Sequence, residues 1–190
     1  MRRELVWSAW DGESVEHLIL TVGEHGATAD GVVAGAVRGR PFRTFYEVRC
    51  DPGWRVREVR VRGMANGETD LELLSNGQGS WTSDGELAPE LEGCLDVDIS
   101  ITPFTNTLPI RRLGLASGEE EDISVAYIEV SGSKAWAEPQ RYGCLETAPE
   151  GGLYRFESLD GGFTADLPVD ADGLMLDYPE LFRRVFPAYG

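Results

Sequence analysis

Apolar and polar residues alternate with a period of two in short segments along most of this chain. In the segment 96–101, "DVDISI", Asp96, Asp98 and Ser100 alternate with Val97, Ile99 and Ile101. This alternation is typical of half-buried β-strands. It predicts strands over residues 15–22, 44–50, 54–63, 68–75, 79–83, 96–101, 123–130, 153–159 and 163–170.

Turn signals separate these segments. Asp-Gly and Asn-Gly pairs suit the positive φ values of tight hairpin turns, so the two Asn-Gly pairs on either side of the segment 68–75 indicate an antiparallel meander. Within the segment 54–61, "WRVREVRV", the alternation changes phase between Arg57 and Val59, and a β-bulge there would restore the core face. The turn signals begin at Asp11, Asp51, Asn66, Asn76, Asp84, Asp160 and Asp172.

Only the C-terminal segment 177–186, "DYPELFRRVF", has the pattern of a helix. Asp177 is an N-cap residue with Glu180 three positions later, as in a capping box. Pro179 falls in the first turn, where its missing N–H costs little. The sequence therefore predicts a mainly β, single domain over residues 1–190: a many-stranded antiparallel sheet wound into a roll or barrel-like form, with a short C-terminal helix.

The charge balance limits the partners. The chain of 190 residues has 33 acidic and 17 basic residues and a net charge of −16. Such an acidic protein repels phosphate backbones and anionic membranes, so we expect no nucleic-acid partner. The N-terminus has no apolar signal-peptide core, and no run is long enough for a transmembrane segment. These features predict a cytoplasmic protein.

The motifs of metal sites and common catalytic centres are missing from the sequence. Cys50, Cys94 and Cys144 are far apart and odd in number, so we interpret them as free, mostly buried thiols. His17 and His25 are not spaced as metal ligands, and no nucleophile elbow or phosphate-binding loop is present. We expect no metal and no cofactor.

The best candidate site is the stretch 93–113, "GCLDVDISITPFTNTLPIRRL". Asp96 and Asp98 share one face of a strand, and two such carboxylates can bind hydroxyl groups or split their pKa values. Thr105 and Asn106 lie in the segment that follows, which we interpret as a loop stiffened by prolines. If the next residues are extended, Arg111 and Arg112 face opposite ways. One of them either joins the site or pairs with an aspartate in a structural salt bridge.

Aromatic residues near turns extend the candidate site. Trp54 and Trp81 lie at the ends of predicted strands, where an indole at the mouth of a barrel can stack on a sugar ring or a lipid tail. The common alternative is that both belong to the core. Arg55, like Arg111, is a candidate for binding a phosphate or carboxylate group.

The stretch 93–113, with "DPGWRVREVRV" and "GQGSW" before it and "YRFESLDGGFTADLPVDADGLMLDYPELFRRV" after it, resembles the bacterial family of putative glycolipid-binding proteins. The resemblance covers about residues 46–185. It implies a spiral β-roll and an amphipathic small-molecule ligand such as a glycolipid. It supplies no catalytic residues.

Three functional hypotheses follow. The first is a binding protein, with an apolar interior for an acyl chain and with Asp96, Asp98, Thr105 and Asn106 at a polar mouth. The second is a small hydrolase- or isomerase-type enzyme in which an aspartate acts as general acid or base on a lipid-like or sugar-derived metabolite. The third is a structural role, in which the stretch closes the roll through a buried Asp–Arg–Thr network.

Overall fold

The computed structural model describes residues 1–37, 39–63, 70–130 and 134–188. Within these ranges, fifteen strands form two sheets. The large sheet has ten strands in the order β14-β15-β1-β2-β3-β4-β5-β6-β7-β8. Its strands are β1 (Arg2–Ala9), β2 (Ser14–Gly23), β3 (Gly26–Val37), β4 (Arg40–Cys50), β5 (Val56–Arg62), β6 (Asp70–Ser75), β7 (Trp81–Ser83), β8 (Glu86–Leu87), β14 (Asp177–Tyr178) and β15 (Phe182–Phe186).

The small sheet has five strands in the order β13-β12-β11-β10-β9. All of its pairs are antiparallel except β9–β10, which is parallel. One continuous apolar core includes side chains from both sheets. The strands are β9 (Asp96–Ile99), β10 (Glu120–Glu129), β11 (Lys134–Ala148), β12 (Gly151–Ser158) and β13 (Thr164–Asp170). The predicted fold class, a mainly antiparallel β-sheet protein of rolled form, is confirmed.

The predicted turns and the predicted bulge are also found. Glycines at positive φ follow Asp11, Asn76, Asp84 and Asp172. Arg49 pairs with Glu58 and Cys50 pairs with Val56, so Arg57 is the extra residue of a β-bulge. Strands β5, β6 and β7 form the expected meander. The turn predicted at Asn66 lies outside the described residues.

The predicted C-terminal helix is wrong. Residues 177–186 form strands β14 and β15, joined by a turn in which Glu180 has a φ of 67°. β15 pairs antiparallel with β1, so it supplies hydrogen-bond partners to a strand edge that would otherwise be open. These long-range hydrogen bonds outweigh the local capping signal.

The prediction of a loop after β9 is also wrong. A 3₁₀ turn (Phe104–Asn106) leads directly into a helix, α1 (Thr107–Leu113), which ends at Gly114 in the left-handed conformation. Pro109 is tolerated because it lies in the first helical turn, where backbone N–H groups have no intrahelical partner. Every residue from 102 to 110 is buried, so this segment occupies the interior of the roll.

Two smaller observations complete the fold. Cys50, Cys94 and Cys144 are free and buried, as predicted. In the described ranges, no helix is long and apolar enough to cross a membrane.

Candidate functional site

Strand β9 is buried on both faces. Asp96 and Asp98 share the face that carries Val125 and Tyr127 of β10 next to them, while Val97 and Ile99 lie on the other face. The two carboxylates therefore face the interior of the roll, where Asp96 is buried and Asp98 is partly buried. The buried segment 102–110 contacts β9 through its 3₁₀ turn and helix α1.

Asp96 forms a buried ion pair with Arg112. Nε of Arg112 lies 3.0 Å from both carboxylate oxygens of Asp96, and Nη2 lies 2.6 Å from Oδ2. The Asp96 side chain is fully buried and that of Arg112 is 14% exposed. Burial raises the pKa of Asp96, whereas the hydrogen bonds and charge of Arg112 act in the opposite direction. This pair is the structural salt bridge that the sequence left open as an alternative.

Asp98 has no cationic partner within the described residues. Its Oδ1 accepts a hydrogen bond from Thr105 at 3.1 Å, and its Oδ2 accepts one from the amide of Gln140 at 2.8 Å. Burial raises the pKa of Asp98, and these two neutral donors offset the effect only in part. The carboxyl group is thus held in a fixed orientation by uncharged groups.

Asp98 lines a pocket of about 300 Å³, which we call the Asp98 pocket. Polar groups from Ser100, Thr102, Asn106, Glu138 and Ser158 surround it, and five aromatic side chains form much of its wall. The ring centroids of Phe156, Phe163 and Tyr178 lie 6.1–6.4 Å apart in a closed triangle. The aromatic side chains are Tyr127, Phe156, Phe163, Tyr178 and Phe182.

Glu138 is the second carboxylate of this pocket. Burial and the nearby charge of Asp98 raise the pKa of Glu138, as expected when two acidic groups share one site. Ser158 Oγ donates a hydrogen bond to Glu138 at 3.4 Å. The pocket therefore presents two carboxyl groups with raised pKa values beside aromatic rings.

Thr105 and Asn106 position the site. Thr105 Oγ1 donates to Asp98 and also lies 3.3 Å from the N–H of Ile99, from which it accepts. Asn106 accepts a hydrogen bond from Tyr142 at 2.9 Å and donates to the carbonyl of Pro103 at 3.3 Å. Of the two, only Asn106 lines the pocket. Both fix the buried segment against β9 and β11.

Arg111 and Trp54 meet elsewhere. The guanidinium carbon of Arg111 lies 5.0 Å from the centroid of the Trp54 ring, a cation–π contact. Arg111 lines a separate pocket of about 250 Å³, which we call the Arg111 pocket. Because residues 107–113 are helical rather than extended, Arg111 and Arg112 diverge around the helix axis and reach different partners.

Trp81 and Arg55 line neither of these pockets. Trp81 is buried, and its indole N–H donates to the carbonyl oxygen of Cys94 at 2.8 Å. The backbone N–H of Arg55 donates to Asp51 in the turn before β5, and its side chain is exposed. For Trp81 the structure thus shows the alternative of a core residue.

A third depression, on the surface of the large sheet, has different chemistry. About 400 Å³ in volume, it lies on the outer face of β4 and β5 and is lined mainly by charged side chains. Two of its arginines are already paired: Arg49 with Glu47 at 2.9 Å, and Arg60 with Glu58 at 2.6 Å. The two charges of each exposed ion pair satisfy one another, and we assign no ligand to this surface. Among the described residues, no cluster of His, Cys, Asp and Glu could hold a metal ion.

Sequence reasoning missed the aromatic wall and Glu138. Phe156 and Phe163 lie in segments predicted as strands, but alternation alone does not indicate which neighbouring strands share a pocket. Neither the sequence around Glu138 in β11 nor the turn before Tyr178 has a motif that indicates a ligand site. These residues come together only through the long-range order of the sheets.

The comparisons with known proteins agree with this fold. The sequence profile of the family described as "Putative glycolipid-binding" matches residues 4–184. The crystal structure of a DUF1089 family protein from Pseudomonas aeruginosa is similar, with 38% identity, a TM-score of 0.81, and coverage of 91% of this chain and 92% of that one. A beta-barrel-like protein of domain of unknown function DUF1849 from Brucella abortus covers 96% of this chain and 94% of its own at 8% identity and a TM-score of 0.53, which is a likeness of fold alone. No curated protein sequence matches this chain.

Proposed function

This chain belongs to the putative glycolipid-binding family, and from that premise we propose that it binds the sugar headgroup of an amphipathic glycoside in the Asp98 pocket. The observation that carries this proposal is the combination of two partly buried carboxyl groups, Asp98 and Glu138, with an aromatic wall in one small pocket. Sugar rings have apolar faces that pack on aromatic rings and hydroxyl groups that donate to carboxylates.

The size of the pocket supports a headgroup ligand rather than an acyl chain. The buried segment 102–110 fills the interior of the roll, and the remaining pocket of about 300 Å³ suits one sugar ring. This replaces the hypothesis of an apolar interior for a lipid tail. Asp98 and Glu138 would accept hydrogen bonds from sugar hydroxyls, and Phe163 would pack against the ring.

Exposed apolar side chains at the same pocket form a surface on which the alkyl chain of the glycoside can lie. Phe163 and Leu181 line the pocket and are 38% and 41% exposed. Leu159 follows Ser158, another lining residue, and is 39% exposed. Such contiguous apolar surface on a soluble domain often marks a ligand site. A short alkyl chain leaving the pocket would lie along these side chains.

Octyl glycosides below their micellar concentrations provide the test. We expect them to bind with at least about tenfold higher affinity than octylphosphocholine, which has the same chain without a sugar, because only the sugar engages the carboxylates. Asp98→Asn should weaken octyl glycoside binding about tenfold or more. Isothermal titration calorimetry measures both effects.

Asp166→Asn is the matched control, because Asp166 is an exposed partner of Arg155 on the sheet surface and lines neither pocket. Its affinity should equal that of the wild type. Equal binding of octylphosphocholine and every octyl glycoside would contradict the proposal, as would an Asp98→Asn protein that is folded and binds normally.

A second candidate function is acid–base catalysis in the same pocket. The raised pKa values of Asp98 and Glu138 favour it, because a carboxylic acid that keeps its proton closer to neutral pH is a better general acid. In glycoside hydrolysis, one carboxylic acid protonates the leaving oxygen while water adds to the anomeric carbon. We expect octanol release from octyl glycosides to stop in Glu138→Gln while binding persists. Octyl glycosides that bind the wild type but stay intact over prolonged incubation would exclude hydrolysis of these compounds.

A further inference from the structure

We propose that the Arg111 pocket is a second ligand site, which binds an anionic oxygen group, a phosphate or a carboxylate, on the Arg111 guanidinium. This inference does not depend on the sugar site, because the two pockets share no lining residue. It rests on how Arg111 is held, on the absence of a carboxylate partner for it among the described residues, and on the walls of the pocket.

Arg111 is held on two sides. Its guanidinium lies over the Trp54 ring, with 5.0 Å between the guanidinium carbon and the ring centroid. Gly173 leaves room for its aliphatic stem, since a Cβ atom at that position would lie 3.1 Å from Cδ of Arg111. A stacked guanidinium loses less freedom when it binds an anion than a freely rotating side chain does.

The backbone at Trp54 is strained in order to place the indole. Trp54 has a φ of 63°, in the left-handed region that bulky residues rarely adopt. Asp51 maintains this conformation: its carbonyl accepts from the N–H of Trp54 at 2.9 Å, and its carboxylate accepts from the N–H groups of Gly53 and Arg55 at 2.9 and 3.1 Å. Strain of this kind is concentrated at functional sites.

Among the residues that the structure describes, no carboxylate pairs with the charge of Arg111. Acidic residues outnumber basic ones by 33 to 17 in this chain, so an arginine without a carboxylate is unexpected. Yet across the described ranges no carboxylate lies within ion-pairing distance of Arg111, whereas its helix neighbour Arg112 is fully engaged with Asp96. Arg111, an exposed residue whose guanidinium has donors to spare, therefore lines the pocket.

Asp170, a carboxylate of the same pocket, is already paired with other arginines. Asp170 lines the same pocket, but its Oδ2 accepts from Arg3 at 3.0 Å and from Arg184 at 2.6 Å. Its Oδ1 accepts from the backbone N–H groups of Asp172 and Leu174 at 3.0 and 3.1 Å. Two arginines thus neutralise Asp170, which leaves the Arg111 charge to attract an anion from solution.

The walls of the pocket suit a compact group. Small residues, among them Gly114, Gly151 and Gly152, form much of the lining, and Thr147 and Tyr154 contribute hydroxyl-bearing side chains. A volume of about 250 Å³ accepts a phosphate or carboxylate with a few further atoms. The planar fork of arginine makes paired hydrogen bonds to either group.

The test uses the full-length protein and the Trp54 indole N–H signal in a ¹H–¹⁵N NMR spectrum, assigned by its loss in Trp54→Phe. Inorganic phosphate, methyl phosphate and acetate are titrated at constant ionic strength, with sodium chloride as the reference. We expect a saturable shift with at least one of these anions. Which of them saturates identifies the group as phosphate or carboxylate.

Two arginine variants make the result specific. Arg111→Gln should weaken binding about tenfold or more, because it removes charge-assisted hydrogen bonds. Arg183→Gln is the matched control: Arg183 stacks on Trp10 at 5.2 Å in the same way but lines neither pocket, and its loss should leave the affinity unchanged.

Three outcomes would overturn the proposal. They are a Trp54 signal that moves no more than with chloride, a shift that stays linear with all three anions, and a folded Arg111→Gln protein with normal affinity. Arg111→Lys guards against loss of the fold: it keeps the charge, so it should bind more weakly than the wild type but more tightly than Arg111→Gln. None of these outcomes bears on octyl glycoside binding, so the two sites can fail separately.

Discussion

Replacing Arg112 with glutamine is expected to lower the free energy of unfolding by about 3–5 kcal/mol, which is the cost of leaving a buried charge without its partner. The Asp96 side chain is fully buried, and all three of its short hydrogen bonds from a side chain come from Arg112. Urea denaturation measures the effect as a lower midpoint with an unchanged slope.

Arg141→Gln is the control for the Arg112 variant. Arg141 also makes a two-point contact with an aspartate, Asp122, but that carboxylate is 55% exposed. Its loss should lower the stability far less than the loss of Arg112 does, since solvent screens exposed ion pairs. The double variant Asp96→Asn, Arg112→Gln should recover part of the loss because it removes the stranded charge. If Arg112→Gln and Arg141→Gln were equally stable, Asp96 would not be the buried anchor that the geometry indicates.

Urea denaturation also distinguishes the roles of the two aspartates of β9. Asp98 accepts only from the neutral groups of Thr105 and Gln140, so Asp98→Asn keeps the shape and removes a partly buried charge that no cation among the described residues balances. Its stability should remain close to that of the wild type. Asp96 and Asp98 have the same spacing pattern in the sequence, but one holds the roll together and the other faces a pocket.

Most of the sheet could be predicted because its signals are local. Asp-Gly and Asn-Gly turns specify positive φ, and the change of phase at Arg57 appears directly as a bulge. Strand β3 was missed for a physical reason. Its inward-facing Gly31 carries no apolar signal, because a Cβ there would lie 2.2 Å from Cζ of Tyr46. The glycine is required by a neighbouring strand, which the local pattern does not reveal.

The interior segment and the last strands could not be predicted locally. Helix α1 has β-branched and proline residues and is stable because residues 104–110 are buried in the roll, not because of helix propensity. β15 has the arginines and capping signals of a helix but pairs with β1. The Asp98 pocket combines β9, β10, β11 and β12 with the turn after β14, so its composition depends on sheet order, which single-segment patterns do not contain.

The stability of this protein is expected to fall as the pH rises from about 4.5 to about 7, because of one buried carboxyl group on β2. Burial raises the pKa of Glu16 from 4.5 to about 7. Its Oε1 accepts hydrogen bonds from Tyr46 and, at 2.8 Å, from Thr102, while no described residue donates to Oε2. The protonated form is therefore the one that the fold accommodates.

The direction of this change in stability follows from the proton bound by Glu16. Between pH 4.5 and 7 the folded protein holds the Glu16 proton while the unfolded chain releases it, so the contribution of Glu16 is complete below 4.5 and disappears above 7. The shift corresponds to about 3 kcal/mol. In Glu16→Gln this change should vanish, because the amide keeps an acceptor for Tyr46 and Thr102 and does not ionise.

Chemical denaturation of both proteins at pH 5 and pH 8 tests this expectation. The two stabilities should be similar at pH 5, and Glu16→Gln should be the more stable by about 2–3 kcal/mol at pH 8. Asp98 and Glu138, whose pKa values are also raised, are present in both proteins and cancel in the comparison. Glu24→Gln removes an exposed charge, and its stability should change between pH 5 and pH 8 as that of the wild type does. If the stabilities of the wild type and Glu16→Gln changed equally between these pH values, water or backbone movement would already solvate the Glu16 carboxylate. Because Thr102 lines the Asp98 pocket as well, a confirmed Glu16 effect would also predict that the pH dependence of ligand affinity differs between the wild type and Glu16→Gln, since Asp98 and Glu138 titrate in both proteins.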